Sequence, residues 1–326
     1  MTTSRIFNFT EMSIIDNGIE RYQEHEYELI NGTNLNSPGE IRINIEQQDL
    51  LTLPSKAYLL FEGQLVKADG TAYAKTGAVA LTSNGLMQLF SRITHQLSNQ
   101  EIEAIYHPGQ ATTMLGILNY ANDFQLAQGL NQLWYKDNTS TAVLTDNIGF
   151  ATKQAYMIQK PTTKGTFSFC VPLSHIFGFC DDYDKVIYGL KHTITHVRQS
   201  DNDAVFRLAA VAAGKVNLNK ISLFMPNLIP ANVEKFKLYG EIEKKVTIPV
   251  SFRNNQQSTS FNWQLAVKTS FENPRYIIVG FQTSKRGDQT ANPSIFDYCD
   301  LKNMYIMLNN NDRYPPVDYN LSFPNQ

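Results

Sequence analysis

The sequence predicts an all-β chain built from antiparallel sheets. Three segments alternate apolar and polar residues, at 41–46, 246–253 and 259–268. Successive side chains of an extended strand point to opposite faces, so this alternation gives each strand one apolar and one polar face. In the third segment the apolar face contains Phe261 and Trp263. We therefore expect sheets that are packed on one side.

Composition narrows the class of protein further. Of the 326 residues, 42% are hydrophobic and only 18% are charged, against about 25% charged in a typical soluble domain. This fits a subunit that covers much of its surface with neighbours, or a large monomeric β-protein. The net charge is −2, and the charged residues of the N-terminal arm, residues 1–30, are mainly acidic. Such an arm repels phosphate, which argues against nucleic-acid binding.

The cysteines and the termini indicate a reduced, non-secreted protein. Cys170, Cys180 and Cys299 cannot all pair within one chain, so buried thiols in a reducing compartment are the expectation. The sequence shows no apolar stretch of transmembrane length and no apolar signal region at its start.

The first run of elements follows this arm. Strands are predicted at 41–46, 57–66, 86–95, 102–106, 166–173, 185–197 and 205–209. Residues 111–130 are predicted as a helix or mixed loop, because apolar residues recur there at helical spacing. The polar segment 136–141 is predicted as a long surface loop.

A second run of elements begins at Gly214. The pattern predicts a strand at 216–225, then a helix over 233–244 that Asn232 caps. After the two alternating segments come a strand at 276–281, a turn-rich loop at 284–293 and a strand at 304–308. The 276–281 segment is apolar on both faces, which is typical of an interior strand.

These two runs predict two tandem jelly-roll β-sandwiches with short helices in the loops. The expected division is a polar arm at 1–40, a first jelly roll at 41–213 and a second at 214–326. The second run holds only about five strand candidates, whereas a jelly roll has eight. The sequence therefore predicts a second sandwich that is truncated at its C-terminal end.

Candidate catalytic and metal-binding residues are few. His192 and His196 are separated as in a metal-binding helix, but their segment is rich in β-branched residues and predicts a strand. Four residues along a strand span about 13 Å, too far for one ion, so a structural pair is expected. The acidic segments 181–184 and 201–203 are interpreted as turns.

No signature of an enzyme accompanies these residues. The doublet Lys285-Arg286 is predicted to lie in a solvated turn. Neither a phosphate-binding loop nor a nucleophile elbow occurs in the sequence. We expect no catalytic, cofactor-binding or metal-binding residues, and therefore no enzyme.

Two longer segments carry a family resemblance. One is FCVPLSHIFGFCDDY at 169–183, followed by KVIYG at 185–189. The other is PRYIIVGFQT at 274–283, with NPSIFDYC at 292–299 and Arg313-Tyr314-Pro315 beyond it. Together they resemble the hexon-like major capsid proteins of Polinton and adintovirus-type DNA elements, in the double jelly-roll lineage. The resemblance implies two jelly rolls in each subunit, trimers of near-hexagonal outline, an icosahedral shell, and no catalytic residues.

The predicted function is that of a structural major capsid protein of a DNA-virus shell or a virus-derived homologue. Its expected partners are its own copies, first as a homotrimer and then as a capsid lattice, with penton or minor capsid proteins. It is expected in the virion, with loops 136–141 and 284–293 at capsomer faces or interfaces. The alternatives are a carbohydrate-binding or adhesion module and a sandwich-fold glycoside hydrolase. The acidic arm disfavours a single jelly-roll coat protein of an RNA virus.

Overall fold

The chain folds as an all-β protein with short helices in its loops, as predicted. The structure is a computed structural model that describes residues 18–29, 34–47, 49–159, 164–244, 247–260, 274–308 and 312–322. Most of the strand predicted at 259–268, with Phe261 and Trp263, lies outside these residues.

Strands account for most of the regular structure, and short helices lie between them. The strands are β1 Ile19–Tyr27, β2 Gly39–Ile45, β3 Leu51–Thr52, β4 Tyr58–Lys67, β5 Val79–Leu81, β6 Phe90–Leu97, β7 Gln100–Tyr106, β8 Thr166–Pro172, β9 Ile187–Tyr188, β10 His192–Arg198, β11 Val205–Arg207, β12 Gly214–Pro230, β13 Ile306–Leu308 and β14 Asp312–Tyr314. The helices are α1 Pro108–Asn119, α2 Ile148–Gln154, α3 Leu173–Ile176, α4 Gly178–Asp182 and α5 Asn232–Ile242.

Two antiparallel sheets form a sandwich. The larger sheet has the order β8-β4-β12-β3-β9, and β1 is added to it as a further partner of β12. The smaller sheet has the order β2-β10-β6-β7. β5 and β11 form a separate pair, as do β13 and β14.

The core lies between the two sheets. On β2 the alternation predicted from sequence places Ile41, Ile43 and Ile45 inside, each at most 1% exposed. They join a cluster of buried side chains from both sheets. Phe61 of the larger sheet contacts His196 of the smaller one, with ring centroids 6.4 Å apart. Burial of each large side chain of this kind stabilises the fold by about 1.5–3 kcal/mol.

The position of β12 corrects one assignment made from sequence. The strand predicted to open the second sandwich pairs with β4, from Gly214 opposite Lys67 to Phe224 opposite Tyr58. It therefore completes the sheet of the first sandwich, since its apolar residues face the same core. β1, from the predicted polar arm, pairs with the other side of this strand. The division into two sandwiches stays a prediction.

Four local predictions are wrong. The segment 246–253, predicted as a strand, forms none over its described residues 247–253. The strand predicted at 185–197 is divided at Gly189, which has a φ of 75°. Asn232 does not cap α5; Ala231 precedes the helix in an extended conformation, and Asn232 is its first residue. The segment 276–281 is not an interior strand, because Tyr276 is 73% exposed and the segment forms only an isolated bridge, between Phe281 and Asp297.

Two strand glycines allow a matched test of the packing between β4 and β12. A Cβ at Gly63 would lie 2.6 Å from the carbonyl oxygen of Asn217, whereas a Cβ at Gly39 would meet nothing within 4 Å. We expect Gly63→Ala to lower the free energy of unfolding by about 1–3 kcal/mol, as overpacking does. Gly39→Ala serves as the control and is expected to change it little. Urea denaturation measures both, and equal effects would contradict the close packing at Gly63.

Candidate assembly surface and its buried polar contacts

The two histidines singled out from sequence lie on one strand and do not meet. Both are on the core face of β10, as the strand prediction required, and both are buried. His196 contacts Phe61 and Phe90. His192 instead stacks on His95, with ring centroids 5.5 Å apart. The described residues contain no group of three His, Cys, Asp or Glu side chains that could hold a metal ion.

His192 belongs to a chain of buried hydrogen bonds. The Thr52 hydroxyl donates to the carbonyl oxygen of Ile187 and lies 2.9 Å from His192 Nε2. Since a hydroxyl has one proton to donate, His192 Nε2–H must donate to Thr52. His192 Nδ1 then accepts from His95 Nε2–H, 3.3 Å away. Burial lowers the pKa of His95 to about 3 and those of His192 and His196 to about 4, so all three are neutral.

A buried carboxylate on β7 attaches the chain downstream of β12 to the sandwich. Glu103 accepts hydrogen bonds from the main-chain N–H groups of Gly178 at 3.0 Å, Phe179 at 3.1 Å and Arg253 at 2.7 Å. Burial raises the pKa of Glu103, against the effect of these donors. The Arg253 guanidinium also binds Asp181 at 2.9 Å. One side chain thus fixes α4 and residue 253 together.

The loop 284–293 is attached by a second set of contacts. Asp203 accepts from the Gly287 N–H at 2.6 Å. Gln289 is buried and bonds both main-chain groups of Gly214, at 2.9 and 2.7 Å. Lys285, predicted to be solvated, lies 2.6 Å from Asp297 and is only 11% exposed. The turn 201–203 and this loop therefore pack on one another, so Lys285 is not the solvated residue that the sequence predicted.

The third attachment is a fully buried ion pair. Lys153 Nζ of α2 lies 2.7 Å from Asp137 Oδ2, and neither side chain is more than 1% exposed. Asn292 Nδ2 donates to the same Asp137 oxygen at 2.8 Å. Close by, the hydroxyl of Ser294 donates to the carbonyl oxygen of Ser83 at 2.6 Å. The burial of Asp137 corrects the prediction that 136–141 is wholly a surface loop.

Sequence reasoning missed Lys153, although one signal indicates it. Lys153 is the only charged residue between Asp146 and Lys160, within a short run that also contains the buried Phe150. A charge in such a run is either exposed on a helix or paired in the interior. Cysteine burial was also only partly predicted, since Cys180 is buried but Cys299 is exposed.

The described chain beyond β12 exposes large apolar side chains. Upstream, buried apolar residues continue as far as Pro226; among the described aliphatic and aromatic residues beyond it, only Pro293 is buried. Those that are exposed there include Val233 and Phe236 of α5, at 67% and 77%. Tyr239 holds the same helix against Tyr188, with ring centroids 5.4 Å apart. Met307 and Tyr314 of the pair β13–β14 are exposed as well, at 47% and 57%. A large exposed apolar surface of this type marks an interaction site.

Each of two cavities among the described residues is lined by one carboxylate side chain. One, of about 310 Å³, lies beside Trp134 and contains Asp137. The other, of about 320 Å³, contains Glu62. A glycosidase needs two facing carboxylates, and each of these cavities has one.

Among the described helices, none combines the length and apolar character that crossing a bilayer requires.

Comparison with known proteins finds both a matching family and similar solved structures. A sequence model of the double jelly roll-like domain family matches residues 131–326. The Sputnik virophage structure is similar with 9% identity and a TM-score of 0.47, covering 69% of this chain and 51% of that one. The mavirus major capsid protein is similar with 14% identity and a TM-score of 0.43, covering 72% of this chain and 51% of that one. The Faustovirus major capsid protein is similar with 11% identity and a TM-score of 0.41, covering 71% of this chain and 59% of that one.

These similarities cover only part of the larger proteins. The chain spans about half the length of the solved structures it matches. No curated protein sequence matches it.

The neutral core histidines predict a pH dependence of stability. The folded pKa of His196 is about 4, below its ordinary 6.5, so the unfolded chain binds more protons between these two values. The free energy of unfolding should therefore be highest above pH 6.5 and fall as the pH drops from 6.5 towards 4. The expected slope is roughly 1.4 kcal/mol per pH unit for each such histidine.

His196→Leu should reduce this slope, because leucine is compatible with the contacts to Phe61 and Phe90 and cannot titrate. His25→Leu, on the exposed strand β1, is the matched control. Urea denaturation at pH 7, 6 and 5 measures both variants. An unchanged slope for His196→Leu would show that the pKa of His196 does not differ between the folded and the unfolded chain.

Glu103 gives a second test. In Glu103→Gln an amide NH₂ group replaces one of the two oxygens that accept from N–H donors. We therefore expect the free energy of unfolding to fall by about 1.5–3 kcal/mol, the range for hydrogen bonds to a charged group. Glu101→Gln, on the exposed side of the same strand, is the control. Hydrogen exchange should accelerate at the Arg253 amide in the first variant only. Equal exchange in both would contradict the attachment through Glu103.

Proposed function

The chain belongs to the double jelly roll-like domain family, and on that premise we propose that it is the structural major capsid protein of a DNA virus or a virus-derived element. The observation that carries this proposal is the exposed apolar surface downstream of β12. A subunit with such a surface is stable in water only when neighbours cover it. The low fraction of charged residues supports the same conclusion.

The assembly we propose is a hexon-like homotrimer. Homo-oligomers generally close by rotational symmetry, and three copies of a double sandwich give an outline near sixfold. Trimers then form an icosahedral lattice with penton or minor capsid proteins at special positions. The Polinton and adintovirus-type elements are the proposed virus group, on the motifs at 169–183 and 274–299. The protein would act in the virion and carry out no catalysis.

Within the trimer, α5 is proposed to lie at a contact between copies. Val233 and Phe236 are one helical turn apart, so they lie on one side of α5. Tyr239 packs on Tyr188 of the sandwich, and this contact fixes the helix in place. A fixed helix with an exposed apolar ridge can pack against a second copy with little loss of conformational freedom.

Light scattering and negative-stain microscopy of the full chain test the proposal. We expect trimers at micromolar concentration, and shells or hexagonal arrays at higher concentration. The double variant Val233→Glu and Phe236→Glu should shift the protein to monomers, because it places two charges in the contact. A stable wild-type monomer would contradict the capsid function itself.

Leu126→Glu is the matched control, since Leu126 is 71% exposed but lies in a turn of the first sandwich. It should leave the trimer intact. If both sets of variants leave the trimer intact, the contact lies elsewhere than α5.

A carbohydrate-binding or adhesion module is the second candidate. The observation in its favour is the group of exposed aromatic residues near β13–β14, where the Arg313 guanidinium lies 4.3 Å from the ring centroid of Tyr305. Aromatic faces of this kind can stack on sugar rings. Saturable glycan binding by a monomer, lost in Tyr305→Ala, would support this candidate in place of the capsid protein.

A further inference from the structure

Lys153, Asp137 and Asn292 form a buried group that the proposed function does not use. They come from α2, from the segment before it and from the loop downstream of β12. All three side chains are almost fully buried, with Lys153 and Asn292 each 1% exposed as residues. The cost of burying charge usually restricts such groups to paired or reactive positions.

The geometry of this group places one oxygen atom between two nitrogen atoms. Asp137 Oδ2 is 2.7 Å from Lys153 Nζ and 2.8 Å from Asn292 Nδ2. A proton that leaves the lysine can therefore reach the amide nitrogen through this single oxygen. The other Asp137 oxygen, Oδ1, is buried and has no hydrogen-bond partner among the described residues.

We propose that Lys153 and Asn292 react to form an intramolecular isopeptide bond, with Asp137 as the proton carrier. Lys153 transfers a proton to Asp137, and its free amine attacks Cγ of Asn292. The attack forms the new C–N bond and a tetrahedral intermediate; the bond from Cγ to Nδ2 then breaks as the proton on Asp137 passes to the leaving nitrogen. The products are a secondary amide and ammonia, which leaves as ammonium with the remaining proton.

Several surrounding contacts favour this reaction. Burial lowers the pKa of Lys153, which makes the free amine more accessible. The side-chain oxygen Oδ1 of Asn292 accepts from the Ser294 N–H at 3.0 Å, so a donor is in place for the negative charge of the tetrahedral intermediate. Asp137 also lines the cavity of about 310 Å³, which offers space for the released ammonia.

Two further features hold the reactants in place. Gly149 of α2 packs so closely on residue 136 that a Cβ would lie 2.1 Å from the Lys136 carbonyl oxygen. This contact fixes Asp137 relative to the helix that carries Lys153. Pro293 follows Asn292 and has no N–H, so the asparagine cannot lose ammonia by cyclising onto the next backbone nitrogen.

Mass spectrometry of the folded, full-length chain tests the inference, and it does so independently of any assembly. The denatured protein should be lighter than its sequence mass by one ammonia. Protease digestion should release a branched peptide that joins Lys153 to Asn292. Lys153→Met and Asp137→Asn should each restore the full mass, whereas Lys136→Met, the neighbouring lysine, should retain the loss of ammonia.

The wild-type mass alone decides the question, even if a variant fails to fold. A folded chain of full mass would overturn the proposal. A chain lighter by one water, with Lys153 joined to Asp137, would also overturn it, since the acid would then be the reactant rather than the proton carrier.

Discussion

The pairing of β12 is the constraint on which the rest of the sandwich depends. This strand is bonded to β4, to β3 and to β1, so it joins strands that lie far apart from it in the sequence. Its residues in the hydrophobic core change from even to odd positions, from Val216 and Leu218 to Ile221, Leu223 and Met225. The irregularity between Leu218 and Lys220 adds one residue, and without it the second half would turn its apolar face outward.

A second constraint comes from charge. Glu103, Asp137 and Asp203 are buried carboxylates on different elements of the sandwich, and each accepts a hydrogen bond from a residue after position 250. An ionised group left unpaired in the interior is destabilising by several kcal/mol. The sandwich is therefore complete only when the downstream chain is docked, although Pro293 is the only buried aliphatic or aromatic residue that the described part of this chain contributes.

Sequence reasoning succeeded for two strands of the sandwich, but the alternating segment 246–253 forms no strand over its described residues 247–253. The alternation in β2 and the β-branched run in β10 predicted strands that the structure contains, and the buried His192 and His196 follow from the same pattern. It failed where partners distant in sequence decide the outcome. The apolar segment 276–281 has no period to show whether a neighbouring strand covers it. The polar segment 136–141 gave no indication that Asp137 would meet Lys153 and Asn292.

The late position of β12 has a consequence for how the chain acquires its structure. Asn227 bonds the hydroxyl of Tyr27, 200 residues away, and β4 is synthesised long before β12, with which it pairs along most of its length. Such non-local pairing makes folding slow, because the entropy of closing the loop precedes any gain from contacts. On the ribosome, the edge of β4 that pairs with β12 must remain unpaired until residue 224 has emerged. Chaperone binding during synthesis would protect that edge, and the rate of chain elongation would then influence how much protein reaches the folded state.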